Sequence, residues 1–242
     1  MKLDNKGLHE FLTEKGVLYL FHANTVASSI SFILAGGLLS RGDVEKRNIF
    51  QTPQASDHKD KLFDVWNDIF LDAEDLHAKF NRNNKYGPVL FKFSIDFLLD
   101  DDLEIWITKS NPIDWAEKLR ESDRYYTNVA QYAADWGGEN SQRRMITVRK
   151  PHSPALFPSL EEIILDTSAG KVYEGYEFEA IDTASIAAHA LKSATETHRG
   201  LRSMITLRAC NAKCYCAENY SREIDDSELA KLFLPRDLIY SA

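Results

Sequence analysis

The chain has 242 residues, of which 44% are hydrophobic and 27% charged, a composition that supports a sizeable core and fits one large domain or two small ones. A formal net charge of −8 argues against a protein built around a whole-surface nucleic-acid footprint, while leaving room for a local basic groove. The three cysteines, all between Cys210 and Cys216, exclude a disulfide framework and suit a reducing cytoplasm, and no run reaches the length of a transmembrane helix.

In chain order, Met1 to Lys6 lacks the apolar core of a signal peptide. Lys6 to Lys15 predicts a short helix with Leu8, Phe11 and Leu12 on one face and Gly16 after it. Leu18 to Phe21 is long enough for a buried strand, which stops at His22 and the small or polar Ala23, Asn24 and Thr25. Thr25 is placed to N-cap a helix carrying Ile30, Phe32, Ile33 and Leu34, and Gly36-Gly37 ends that helix. A histidine and backbone amides at a strand-to-helix hinge can hold a ribose hydroxyl, a carboxamide or a phosphate; the plainer reading is a βα unit with a hydrogen-bonded histidine. Gly42 to Lys61 reads as a polar surface loop with Arg47, Pro53, His58 and Lys59, of the kind that carries function or acts as a lid. Leu62 to Asp72 is apolar and aromatic, and fits helix or strand equally. Asp72, Asp75 and His77 resemble a hard-metal or His–Asp constellation loosely, and acids beside a helix start also serve capping.

Tyr86-Gly87-Pro88 is a turn before a clear strand, Val89 to Phe93. Asp96 to Glu104 reads as a solvated loop edge and Ile105 to Thr108 as another strand. Pro112 predicts the first turn of a helix reaching Glu121, and Tyr125 to Trp136 a helix ended by Gly137-Gly138. Met145 to Val148 is a strand flanked by Arg143, Arg144, Arg149 and Lys150, four basic residues without an acid between them. That string is either a polyanion contact or a strand edge guarded by charge. Leu160 to Asp166 and Val172 to Phe178 read as strands, Thr183 to Thr197 as an alanine-rich helix, Met204 to Leu207 as a strand and Asp225 to Leu234 as a last helix. Cys210, Cys214 and Cys216, with His198 as a distant fourth donor, fall short of familiar zinc spacing. No repeat, low-complexity segment or linker interrupts the chain, so a single domain over residues 1–242 is expected.

Hydrolase, P-loop and dinucleotide fingerprints are absent: there is no Gly-x-Ser-x-Gly, no Gly-x-x-x-x-Gly-Lys-Ser/Thr and no Gly-x-Gly-x-x-Gly. Against that background, Leu18-Tyr19-Leu20-Phe21-His22-Ala23-Asn24-Thr25, the helix after it and Gly36-Gly37-Leu38-Leu39 resemble the opening of ADP-ribosyltransferases. The likeness is to the DarT-like toxins, which attach ADP-ribose to nucleic-acid bases and begin with a strand ending in His-x-Thr, then a helix carrying Asn-Leu and ending at a Gly-Leu. Here Asn24 stands two residues after the histidine, and Ser28-Ser29 stand in place of Asn-Leu. Phe157 to Ile164 resembles the strand that follows the catalytic-glutamate strand of that family, so the likeness covers the first forty residues and roughly residues 136 to 168.

The resemblance implies an α+β fold: a split core of two small packed β-sheets with flanking helices. It implies NAD as co-substrate, with His22 on the adenosine ribose, the backbone at Ala23 reading the nicotinamide amide, Asn24 beside it, and Arg47 on the NAD phosphates or the acceptor. The catalytic carboxylate falls to Glu139 if Leu160 to Asp166 follows the catalytic strand, or to Glu162, or else Glu161, if the prolines form the acceptor-recognition turn. Such a carboxylate stabilises the oxocarbenium character that develops as the nicotinamide–ribose bond breaks, and takes a proton from the nucleophile, with no metal required. Arg143, Arg144, Arg149 and Lys150 would hold the phosphates of an unstacked RNA or single-stranded DNA, with Tyr125, Tyr126 or Trp136 as stacking surfaces. The expectation is a cytoplasmic toxin or phage-defence effector, not a membrane protein, restrained by an antitoxin. The alternatives are the same fold acting on a protein side chain, or an inactive NAD- or partner-binding module.

Overall fold

The computed structural model describes residues 2–75, 86–137, 145–167, 172–174, 180–209 and 226–239. Strands β1 (Tyr19–Asn24), β2 (Ile69–Asp72), β3 (Val89–Ser94), β4 (Ile105–Ile107), β5 (Met145–Val148), β6 (Leu160–Thr167) and β9 (Ile205–Ala209) form one mixed seven-stranded sheet in the order β4-β5-β2-β1-β3-β6-β9. All its pairings are antiparallel except β6 with β9. β7 (Val172–Glu174) and β8 (Ala180–Asp182) pair separately. The α+β class is therefore observed, but the main strands lie in one sheet and not in two small packed ones.

That sheet has a weak joint at its centre. β1 pairs with β3 over six residues, Tyr19↔Ser94 to Asn24↔Val89, but with β2 through a single pair, Phe21↔Asp72. The joint divides β4-β5-β2 from β1-β3-β6-β9.

Helix α1 (Asn5–Glu14) packs against the 3₁₀ turn Ile95–Leu99, burying Leu8 and Leu12. Helix α2 (Val26–Ala35) starts where predicted: Thr25 is extended and its hydroxyl accepts the Ser28 N–H, while Gly36 closes the helix in the left-handed region at φ 75°. α2 lies over the β1–β3 half with Phe32 and Ile33 buried, each worth about 2 kcal/mol relative to exposure. It packs on α7 (Thr183–Ala194) and α9 (Asp226–Phe233). Two short helices, α3 (Arg41–Lys46) and α4 (Asp57–Leu62), occupy the segment expected to be loop. Ser40 caps α3 by accepting the Asp43 N–H at 3.1 Å, and Val44 anchors it in the core. The 3₁₀ turn at Ile95 likewise buries Phe97 and Leu98, where a solvated edge was expected.

On the opposite side of the β2–β5–β4 half a second cluster gathers Phe63, Val65, Trp115 and Tyr125, with Phe70 and Trp106 against it. This cluster cancels two predicted helices. Trp115 is drawn into it in extended conformation, so only the 3₁₀ turn Pro112–Asp114 precedes it. Tyr125 bridges to Thr108, so helix α6 runs only from Val129 to Ala134, after the short α5 (Glu121–Arg124). α8 (Arg199–Arg202) and α10 (Arg236–Ile239) are single turns near the C-terminal end. Among the described residues no helix is long and apolar enough to cross a membrane.

Candidate functional site

The site is built at the joint between β1 and β2. In an antiparallel pair the N–H and C=O of one residue point to the same neighbour, and successive residues alternate. The Ile95 N–H donates to the Leu18 carbonyl at 3.1 Å, so Leu18, Leu20, His22 and Asn24 bond toward β3. Tyr19, Phe21 and Ala23 then direct their peptide groups toward β2. Phe21 meets Asp72 there, and the pairing stops before Ala23. The peptide edge of Ala23 therefore faces the break in the sheet.

His22 spans that break with its ring. Nδ1–H donates to the Phe70 carbonyl on β2 at 2.8 Å; a carbonyl only accepts, which fixes the proton on Nδ1 and leaves Nε2 as the acceptor. Burial pushes the imidazole below its ordinary pKa and outweighs the opposing pull of the Phe70 bond, so the ring is neutral at pH 7. Phe32 of α2 packs on the ring at 5.8 Å between centroids. Asn24 is buried; its Nδ2 stands 3.5 Å from His22 Nε2 and its Oδ1 accepts the Thr25 N–H at 2.9 Å. Asn24 thus braces the hinge and approaches the acceptor lone pair of the histidine with its amide nitrogen.

A strap between α3 and α4 is fastened beside this hinge by Thr52. Its hydroxyl meets the Thr25 hydroxyl at 2.7 Å, its N–H donates to the Ser28 hydroxyl at 3.1 Å, and its carbonyl accepts from Arg41 at 3.1 Å. The Ser31 hydroxyl donates to the Phe50 carbonyl at 2.9 Å. The N-cap Thr25 with Ser28 and Ser31, three apart along α2, form the stripe that receives the strap. That spacing was readable, but its partner, a single threonine in a charged stretch, was not. Arg41 pairs with Asp57 at 2.7 Å and lies over Trp66.

Arg47 is elsewhere. It ends α3 and donates to the carbonyl and hydroxyl of Ser153, at 2.9 and 3.2 Å, holding the proline loop against the far end of α2. His22, Ala23 and Asn24 are thus brought together and Arg47 is not. Glu162 is separated from them by the sheet itself. It pairs with Lys92, which pairs with Phe21, so these three share a face, whereas His22 shares the other with Phe91 and Ile163. Glu162 accepts from Lys92 at 3.2 Å in an open cleft of about 630 Å³ that also contains Tyr19, Phe21, Asp75 and Arg208. Its side chain therefore lies on the face of the sheet opposite that of His22. Glu139, Arg143 and Arg144 lie outside the described residues, as do His77 and the three cysteines.

At its described end the basic strand is engaged by carboxylates of the same chain. Arg149 donates to Asp68 at 2.5 Å and to the Asp64 carbonyl at 3.1 Å, and its guanidinium lies over Trp106. Lys150 pairs with Asp64 at 2.7 Å. Two carboxylates from the turn before β2 thus pair with both cations, and the Arg149–Asp68 pair is buried. The Asp68 side chain is fully buried, and burial raises its carboxyl to about 6 against the pull of Arg149. Tyr125 and Tyr126 are buried in the core and Trp136 packs edge-on against Phe11 and Tyr132, so none of the three is a stacking platform. Asp75 is taken up by Arg208, which also binds Asp166.

A scan against protein-family models finds no match for the chain, and a search of curated proteins finds none either.

Proposed function

We propose that the protein is an NAD-dependent ADP-ribosyltransferase that transfers ADP-ribose to a nucleic-acid base in RNA or single-stranded DNA and releases nicotinamide. The observation that carries this reading is the peptide edge of Ala23, beyond the single residue pair that joins β1 to β2 among the described residues, beside the acceptor Nε2 of His22, which Asn24 Nδ2 approaches at 3.5 Å. A primary carboxamide offers one acceptor and two donors, and a strand edge offers one N–H and one C=O, so the nicotinamide amide and Ala23 are complementary. Nε2, an obligate acceptor in this tautomer, suits a ribose hydroxyl and not a phosphate. The single-pair joint supports the split core that the resemblance implies.

In the reaction, a nitrogen of the base attacks the nicotinamide-ribose carbon as the bond to the ring nitrogen breaks. Nicotinamide leaves with the electron pair of that bond, and the acceptor's proton passes to a carboxylate and then to water. Glu139, ahead of β5, is the carboxylate expected to do this. The setting proposed is a cytoplasmic toxin or defence effector restrained by an antitoxin, for which poor growth on expression is the expected outcome. A protein acceptor is the second reading, favoured by the internal pairing of Arg149 and Lys150, two of the four expected phosphate contacts.

The test is incubation with radiolabelled NAD and RNA, single-stranded DNA or lysate. Label that nuclease removes supports the first reading; label that only protease removes supports the second. His22→Ala and Glu139→Gln should abolish transfer. Absence of both label and nicotinamide release sinks the proposal.

A further inference from the structure

Exposed cations without a carboxylate partner among the described residues lie near the C-terminal end of α2. Arg47 reaches the proline loop at Ser153, and the next residue, Pro154, lies against Gly37: a Cβ there would come within 2.7 Å of the proline Cβ. Gly36, one residue earlier, faces the ring of His198, at 3.2 Å from a Cβ position. His198 opens α8, which carries Arg199 and Arg202. The run Arg47, Ser153, Pro154, Gly37, Gly36, His198, Arg199 is therefore continuous, with Lys46 at one margin and Arg202 at the other. Lys46, Arg47, Arg199 and Arg202 are all exposed.

The neighbouring acids are turned to other work. Asp43 accepts from Ser40 at 2.7 Å, and Glu45 accepts from Lys61 at 2.7 Å and from Trp66 at 2.8 Å. Glu196, on the turn before His198, is the one carboxylate between α7 and α8. On a chain of net charge −8 this is a local reversal of sign. A chain of rings connects it through the core to the proposed cofactor site: His22 packs on Phe32, Phe32 on Phe91 at 6.0 Å, and Phe91 on Phe157 of the proline loop at 5.9 Å.

Resting on the reading given above, we propose that Lys46, Arg47, Arg199 and Arg202 form the surface that holds the phosphate backbone of the single-stranded acceptor. The surface takes over the role expected of Arg149 and Lys150. It positions the strand and reads no sequence, since phosphate contacts carry none. Arg47 acts here with its guanidinium already oriented by Ser153.

Each phosphate neutralised on a single strand contributes about −0.7 to the slope of log affinity against log salt. Four contacts predict about a 50-fold loss of affinity between 50 and 200 mM salt. The test is fluorescence anisotropy of the full-length protein with a labelled single-stranded oligonucleotide, without NAD, across that salt range. Lys46→Glu/Arg199→Glu/Arg202→Glu should leave about a threefold dependence and weak binding. Lys6→Glu/Lys15→Glu/Lys118→Glu, an equal charge change elsewhere, should bind as the parent does. Thermal melts establish that both variants fold. Should the first triple variant not fold, Arg199→Gln/Arg202→Gln is expected to lower the slope by about half.

Equal loss in both triple variants, or no binding by the parent, overturns the surface. So does binding to phosphatidylserine vesicles in place of the oligonucleotide. Transfer of ADP-ribose without oligonucleotide binding would refute the surface and spare the transferase; binding without any NAD turnover would do the reverse.

Discussion

Arg149→Met separates a structural from a nucleic-acid role for the basic strand. The parent carboxyl of Asp68 is raised from 3.8 to about 6 by burial. A group whose folded pKa is raised favours the folded state most below its unfolded value, and that contribution disappears as pH rises through the folded one. At about 1.4 kcal/mol per pH unit, this amounts to about 3 kcal/mol lost between pH 3.8 and 6. Arg149 limits the loss while Asp68 is ionised. Methionine keeps the apolar stem over Trp106 but leaves the buried carboxylate with one donor, the Lys150 N–H at 3.2 Å. Breaking such a pair costs about 3 kcal/mol at pH 7.5, the low end of the usual range because the carboxyl can take up a proton. At pH 5 Asp68 is already mostly protonated, and the cost falls to about 1 kcal/mol, the value of a lost hydrogen bond. Urea unfolding at the two pH values measures both figures. Equal losses at both, or an unchanged midpoint with weakened oligonucleotide binding, would refute the structural assignment.

Further expectations concern the hinge and the two sheet faces. The folded pKa of His22 is depressed, so the unfolded state binds more protons below the ordinary value of 6.5, and stability should fall as pH drops through it. His22→Asn, which can still donate to the Phe70 carbonyl, should flatten that slope in urea midpoints measured at pH 7.5 and 5.5. Gly37→Ala drives a methyl group to 2.7 Å from Pro154 and 2.8 Å from the Ala155 nitrogen, and should cost about 1–3 kcal/mol in thermal or urea unfolding. Glu162→Gln should leave any transferase activity within about twofold of the parent, because its side chain lies across the sheet from His22; a loss comparable to that of His22→Ala would contradict the register argument.

What could be read from the sequence was mostly local. The Thr25 cap, the Gly36 stop and the strands at Val89, Met145 and Leu160 follow from residue type and spacing, and each is found. The short helices α3 and α4 were hidden because each buries few residues amid charge, and a propensity argument has little to act on below two turns. Trp115 and Tyr125 defeated helical expectations because a distant aromatic cluster holds them extended. At the site, His22, Ala23 and Asn24 were legible together. The Phe70 carbonyl that fixes the histidine tautomer comes from a strand 48 positions away. The face on which Glu162 lies depends on its register with Lys92, 70 positions away, and the neutralisation of Arg149 depends on Asp68, 81 positions away. Sequence spacing carries no information about such pairings.

The edge of β1 at the sheet break is the proposed NAD site. Backbone and imidazole NMR of the ¹⁵N-labelled protein during an NAD titration tests it without reference to turnover. The Ala23 amide and His22 Nε2 are expected to shift most, together and saturably, while the Arg149 side chain does not move. Saturable binding that leaves Ala23 and His22 unperturbed, or no binding at millimolar NAD, would contradict it.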